Sequence, residues 1–153
     1  MTFLFKKAGF TIIELVVVVA ILAVLATVVA INVISYLDKA RDATIKGNMQ
    51  TIASSATAFF EREGNFNNIF VAANNPTATN ALHSINDITS PNTVTAVLKT
   101  DNSSWCVCSV LTKRGGSQGT SLNTYCVDSS GRRNESSPTC TSRCNTTFGI
   151  CGN

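Results

Sequence analysis

Two sets of residues in this 153-residue chain could do chemistry. The first is a lone carboxylate, Glu14, four residues after Phe10 near the start of an apolar run. The second is six cysteines, Cys106, Cys108, Cys126, Cys140, Cys144 and Cys151, all of which follow Trp105. From Phe10 to Ile31 only Thr11, Glu14 and Thr27 are polar. About 20 apolar residues are enough to cross a bilayer as a helix. Thr27 can bond back to a carbonyl one turn earlier and costs little. A carboxylate is different: at the centre of a membrane helix it costs about 2.5–3.5 kcal/mol, and it marks function with a partner. On a helix Phe10 and Glu14 share one face, and an acid in the first turn is favoured by the helix dipole.

The flank of the run narrows the reading. Lys6 and Lys7 precede it, and Gly9 stands directly before Phe10. A cleavable signal peptide has an apolar h-region of roughly 7–15 residues, followed by small residues at the cleavage site. This run is too long, and its small residue comes first. A plain single-pass anchor accounts for the length but not for Glu14.

The stretch Lys7-Ala8-Gly9-Phe10-Thr11-Ile12-Ile13-Glu14-Leu15 resembles the class III signal of bacterial type IV pilins and pseudopilins. The resemblance implies that a membrane-embedded prepilin peptidase cuts between Gly9 and Phe10 and N-methylates Phe10. It implies that Glu14 is the assembly residue, pairing with the amino terminus of an adjacent subunit as that subunit leaves the membrane. Opposite charges 4 Å apart attract by about 4 kcal/mol at an effective dielectric of 20, before desolvation is subtracted. The implied partners are the peptidase, other copies of the chain and related pilins in a helical filament, a pilus or secretion assembly platform, and the inner membrane before assembly. The resemblance is strong over about residues 6–31 and fades towards Asn65; beyond that only the general architecture matches. One departure is that no proline interrupts the helix before Pro76, whereas many pilins carry one near the far end of the apolar run.

The cysteines give a second view of topology. Clustered, even-numbered cysteines in a small exported domain read as disulfides. Zinc ligation is the alternative, but the only histidine, His83, is far away in sequence. The basic leader places the N-terminus in the cytoplasm, which puts the cysteine-rich end outside, where oxidation is possible. The expected location is the cytoplasmic membrane as a single-pass protein, and after assembly an extracellular or periplasmic filament. Cys106 and Cys108, two apart on a strand, point to one sheet face. One of them, with Cys106 favoured, is expected to bond Cys126 across a hairpin. The other should reach Cys140, Cys144 or Cys151, and the two remaining tail cysteines should pair.

The elements that position these residues follow from periodicity. Residues 1–9 are the leader. Residues 10–63 form one long helix, of which 10–31 span the membrane. Ile45, Met49, Ile52, Ala56 and Phe59 recur at helical spacing and predict an apolar stripe, widened by Phe60, that packs against the chain's own globular part. Gly64 is a natural C-terminal cap. Residues 64–91 read as a connecting loop, with a short helix from Thr77 or Thr79 to Ile85, and His83 on its surface. Residues 92–153 hold the sheet and the disulfide-bonded C-terminal region. Period-two patterning predicts strands over Asn92–Leu98, Ser104–Leu111 and Thr124–Asp128, with Lys113–Gly119 as a hairpin turn. Arg132 and Arg133 read as a basic turn. The remainder reads as a loop pinned along the sheet edge. The fold class is α+β: a long N-terminal helix, transmembrane in its first half and amphipathic in its second, packed on a small antiparallel sheet with a disulfide-rich C-terminal loop.

Composition sets limits on function. The formal net charge is +3. Losing Lys6 and Lys7 leaves ten basic residues against nine acidic ones, which does not describe a nucleic-acid surface. No catalytic set, cofactor motif or metal cluster can be placed, so the chain does not read as an enzyme. Three functions remain: a structural subunit of a type IV pilus-like filament, a pseudopilin of a type II secretion system, or a membrane-anchored binding ectodomain that never polymerises. The resemblance implies calcium bound in an acidic C-terminal loop for the major pseudopilin. Here the last 25 residues contain only Glu135 as an acid, which favours the pilus subunit.

Overall fold

The computed structural model describes residues 9–90, 94–111, 123–136, 139–140, 144–147 and 149–152. The leader up to Ala8, the strand start at Asn92 and Thr93, and the expected turn from Lys113 to Gly119 lie outside the described residues. In chain order the elements are α1 (Ile12–Glu63), α2 (Pro76–Thr89), β1 (Thr95–Leu98), β2 (Trp105–Val110), β3 (Thr124–Asp128) and β4 (Arg133–Ser136). The chain divides into two compact units, Met1–Tyr36 and Leu37–Asn153.

In the first unit, Ile12–Val29 has a mean hydropathy of 3.1 and no buried residue. By length and composition this segment can cross a membrane. Its one polar interruption beyond the first turn is neutralised locally: Thr27 Oγ1 donates to the Val24 carbonyl at 2.8 Å.

In the second unit, the expected stripe of α1 is the floor of the core. Ile45, Met49, Ile52, Ala56 and Phe59 are all buried, and they cluster with Phe66, Ile69, Trp105, Val107, Leu111 and Val127. Phe60 does not join them. It is 43% exposed and lies against the Phe66 ring with centroids 4.9 Å apart, because it stands one residue round the helix from Phe59. Gly64 ends α1 at φ +71°, and its N–H bonds the Phe60 carbonyl at 2.8 Å, as a left-handed cap should.

The region expected to be mostly loop contains a 14-residue helix, α2. Its start is written in Asn75-Pro76. The Asn75 side chain accepts from the Ala78 N–H at 3.2 Å, and Pro76 occupies the first turn, where its missing N–H costs nothing. Ala78, Ala81 and Ile85 face the core at spacings of three and four. His83 is exposed, as expected of a surface residue.

The sheet is an antiparallel meander in the order β1-β2-β3-β4. The fourth strand corrects the sequence reading, which had a basic turn at Arg132 and Arg133 and loop beyond. Arg133–Ser136 pairs with β3, Val127 opposite Arg133 and Thr124 opposite Ser136. The strand has no apolar alternation because it is an edge held by backbone bonds and by Lys46, whose Nζ meets Glu135 Oε2 at 2.7 Å. Such an exposed pair contributes about 0–1 kcal/mol. The observed architecture is the α+β arrangement predicted: a long helix, a short helix and a four-stranded antiparallel sheet, with disulfides in the C-terminal region.

Ile52 is fully buried at the centre of the stripe. Ile52→Ala should destabilise the second unit by about 2–5 kcal/mol. Denaturant unfolding of the oxidised protein in detergent micelles, followed by the fluorescence of the single tryptophan, Trp105, measures it.

Candidate functional site: a capped carboxylate and a disulfide-clamped tail

The N-terminal site is built by the first turn of α1. Thr11 is the residue before the helix, and Glu14 stands three further on. Glu14 Oε2 accepts from the Thr11 N–H at 2.9 Å and from its hydroxyl at 2.8 Å. The Glu14 N–H in turn reaches Thr11 Oγ1 at 3.4 Å. This is a reciprocal capping box: two donors that the helix cannot satisfy itself are held by one pair of side chains. The carboxylate is therefore oriented and occupied by its own chain. Phe10, directly before Thr11, is 84% exposed, and Gly9 is exposed as well.

The C-terminal site is built by the alternation of β2. Trp105 and Val107 turn to the core, while Cys106 and Cys108 turn to the opposite face. On β3, Val127 sits opposite Val107, and Cys126 sits opposite Cys108. Three strand cysteines therefore share one face, where Val97 of β1 packs against them. The bonds are Cys106–Cys144, Cys108–Cys140 and Cys126–Cys151, with Cα separations of 5.8, 5.4 and 5.9 Å. The expectation that Cys106 bonds Cys126, and that two tail cysteines pair, is overturned. All three strand cysteines point away from the core at a surface that the tail must cover, so each takes a tail partner. For the same reason the tail clamps a sheet face at its two central strands and not an edge. Among the described residues no cysteine is free. Sulfurs bonded in pairs are not thiolates, the form that holds a metal.

Two further contacts seat the tail. Asp128, 1% exposed, accepts at Oδ1 from the N–H groups of Ser130 and Arg132 and from the Ser130 hydroxyl, and at Oδ2 from the Cys151 N–H at 2.8 Å. Gly149 lies at φ +58°; a Cβ there would stand 2.9 Å from Lys99 Cβ and would meet the Ser104 side chain and carbonyl. The turn it touches carries its own ion pair, Lys99 to Asp101 at 2.8 Å. The Lys99 bond, helped by Ser103, holds the Asp101 carboxyl well below the usual carboxylate range. A lowered folded-state pKa means that this contribution is present above the ordinary value and is lost only as pH falls through the lowered one.

Residues 4–30 match the family described as the prokaryotic N-terminal methylation motif. The chain carries the class III prepilin signal. No curated protein and no solved structure matches it. This signal supports a type IV pilin-like or pseudopilin protein, a family of structural subunits and not of enzymes. It implies cleavage by prepilin peptidase and assembly of pilin on pilin, and with the apolar half of α1 it indicates membrane anchoring.

Of the residues at the head of α1, the sequence singles out Gly9, Phe10 and Glu14 but not, by the resemblance, Thr11. The signal was available: Thr-x-x-Glu before an apolar run is a capping-box pattern. Asp128 was also missed, since no spacing rule links it to Cys151. Thr11→Val should remove the side-chain half of the box, a loss of about 1 kcal/mol at the helix start. Hydrogen exchange of the full chain in micelles should then quicken at the Glu14 amide, with the amides around Ile52 unchanged.

Proposed function

We propose that the chain is a structural subunit of a type IV pilus-like filament, polymerised through the apolar half of α1. One observation carries the reading: a carboxylate sits at the head of a helical segment, Ile12–Val29, whose apolar side chains are exposed all round. Such a surface needs an apolar cover, which is the bilayer before assembly and the helices of neighbouring subunits after it. Glu14 then supplies register. Cutting between Gly9 and Phe10 creates a positive amine at Phe10, and N-methylation keeps that charge. The carboxylate exchanges its Thr11 bonds for the amine of an adjacent subunit. Gly9 fits a residue read from outside: a Cβ there would meet nothing within 4 Å, so the fold itself makes no demand for glycine.

A pseudopilin shares this head, and the tail argues against the calcium-binding kind. Asp101 is bonded to Lys99 and Ser103, Asp128 to three backbone N–H groups, and Glu135 to Lys46. Three of the four acids after Glu63 are thus already engaged. The division proposed is a leader at 1–9, a helix over 10–63 with 10–31 in the membrane, a connector at 64–91 and the sheet with its tail at 92–153.

Processing should give a chain that begins at Phe10 and carries one added methyl group, seen by mass spectrometry of the membrane-extracted protein. Gly9→Val should block the cut. An intact Met1 terminus in cells that contain the peptidase would refute the assignment.

Assembly should depend on charge. Glu14→Ala and Glu14→Leu should both insert and be cut, yet be lost from sheared filaments viewed by negative-stain microscopy. Normal incorporation of either variant removes the charge pair from the account. Filaments confined to the periplasm would select the secretion pseudopilin instead.

A further inference from the structure

The second unit has two flanks, and α1 tells them apart. Ile45, Met49, Ile52, Ala56 and Phe59 mark the buried side of the helix. To one side of that stripe, Asn48 Nδ2 donates to Ser84 Oγ at 3.0 Å, and Ser55 Oγ accepts from Asn75 Nδ2 at 3.5 Å. This flank faces α2. To the other side, Lys46 meets Glu135 of β4, and Gln50, Ala53 and Thr57 continue the same helical row. At about 100° per residue, Asn48 and Gln50 point nearly opposite ways round the helix. The α2 and β4 surfaces therefore lie on opposite sides of the unit.

Arg133 heads a groove on the β4 side. It stands opposite Val127, and directly opposed side chains of an antiparallel pair share a face. Val127 belongs to the core, so Arg133 is turned towards α1 and not towards the tail. Glu135, two residues on, is turned the same way and finds Lys46. Arg133 finds no acid there. Across from it α1 offers Gln50, Ser54 and Thr57, all neutral, and with Ser129 and Trp105 these line a groove of about 190 Å³. Asp128 borders the groove too, but its carboxylate accepts from the Cys151 N–H on the tail side. An exposed guanidinium among hydroxyl and amide groups is a receptor for a carboxylate, which it can grip with two parallel N–H bonds.

The unit carries such a carboxylate on its far side. Lys46, Arg62 and Lys99 pair with Glu135, Glu63 and Asp101. Among the described residues Glu61 and Asp87 make no ion pair. Glu61 follows Thr57 by one turn of α1, on the same flank as the groove. Asp87 is on α2, two residues after buried Ile85, and with exposed Asn80 and His83 it makes the face of that helix turned away from the core. Subunits repeated by one step in one direction set a flank against the opposite flank of the next copy. That rule selects Asp87 and passes over Glu61.

We propose that the Arg133 groove receives Asp87 of the next copy of this chain, making a lateral contact between second units. The contact is heterologous: two different patches meet, and each copy keeps one of each unused, so it propagates along a helical array. It rests on the filament reading proposed above. There the apolar half of α1 supplies adhesion, while this pair fixes which side of one unit meets which side of the next. Charge pairs across an interface serve register and partner choice more than raw affinity.

The test is charge reversal in cells, with sheared filaments measured by immunoblot and negative-stain microscopy. Arg133→Glu and Asp87→Arg should each lower filament yield several-fold, because each sets like charges face to face. The double variant Arg133→Glu/Asp87→Arg should recover the parent yield, and Arg133→Glu combined with Glu61→Arg should not. Trp105 fluorescence of each full chain in micelles checks that the second unit is folded. A second arm maps the contact directly. Filaments of Arg133→Lys, assembled from chains with and without a heavy-nitrogen label, are treated with a carbodiimide, which joins an amine to a carboxylate. Peptide mapping should find position 133 joined to Asp87 in mixed-label pairs. Where a reversal unfolds the second unit, this conservative arm decides alone. The contact is overturned if parent filaments form and both single reversals leave the yield unchanged, if the double variant stays as low as the singles, if Glu61→Arg rescues, or if position 133 is not joined to Asp87. A parent chain that makes no filament in cells with the peptidase removes the filament reading, and the contact with it.

Discussion

A strand has only two faces, and β2 must serve a different master on each. Trp105 and Val107 go inward to the stripe of α1; Cys106 and Cys108 go outward to the tail. The packing of the sheet on α1 and two of the three disulfides hang on this alternation. A slip of one residue would put two thiols into the hydrocarbon core and an indole against the tail. Small units have thin cores, and this one adds covalent bonds on the sheet face turned away from α1. The bonds close loops with sequence separations of 38, 32 and 25, each contributing about 3–4 kcal/mol in the chain-entropy treatment.

The two halves of α1 answer to different surroundings. From Ile45 to Phe59 the helix is striped, because one side meets a core and the other meets water. From Ile12 to Val29 it is apolar on every side, which no water-facing helix tolerates. The single exception in the first turn, Glu14, is accommodated by a hydrogen-bonded cap rather than by burial. An acid held in this way remains available for exchange, whereas one sunk in a protein interior would not.

How much of this was legible varied with the kind of physics involved. The helical stripe was readable residue by residue, because periodic burial leaves a periodic sequence. The strands carrying Trp105, Val107 and Val127 were readable for the same reason. β4 was not, since an edge strand with Arg133, Asn134 and Glu135 is held by its backbone, and backbone bonds leave no trace in side-chain type. The length of α2 was missed although Asn75-Pro76 announces its start; the polar composition of the segment masked Ala78, Ala81 and Ile85. Disulfide pairing failed at one step. Cys106 and Cys108 do share a face, but proximity across a hairpin does not by itself make a bond, and the uncovered face needs the tail.

The bond from Cys126 to Cys151 encloses β4 within a covalent ring. The mechanical consequence is specific. A pull on the C-terminal end reaches β3 through sulfur and never loads the hydrogen-bond ladder between β3 and β4. Tension is delivered instead to a central strand, which is flanked by β2 on its other side. The outermost strand can therefore be short and polar without becoming the place where the sheet begins to unzip.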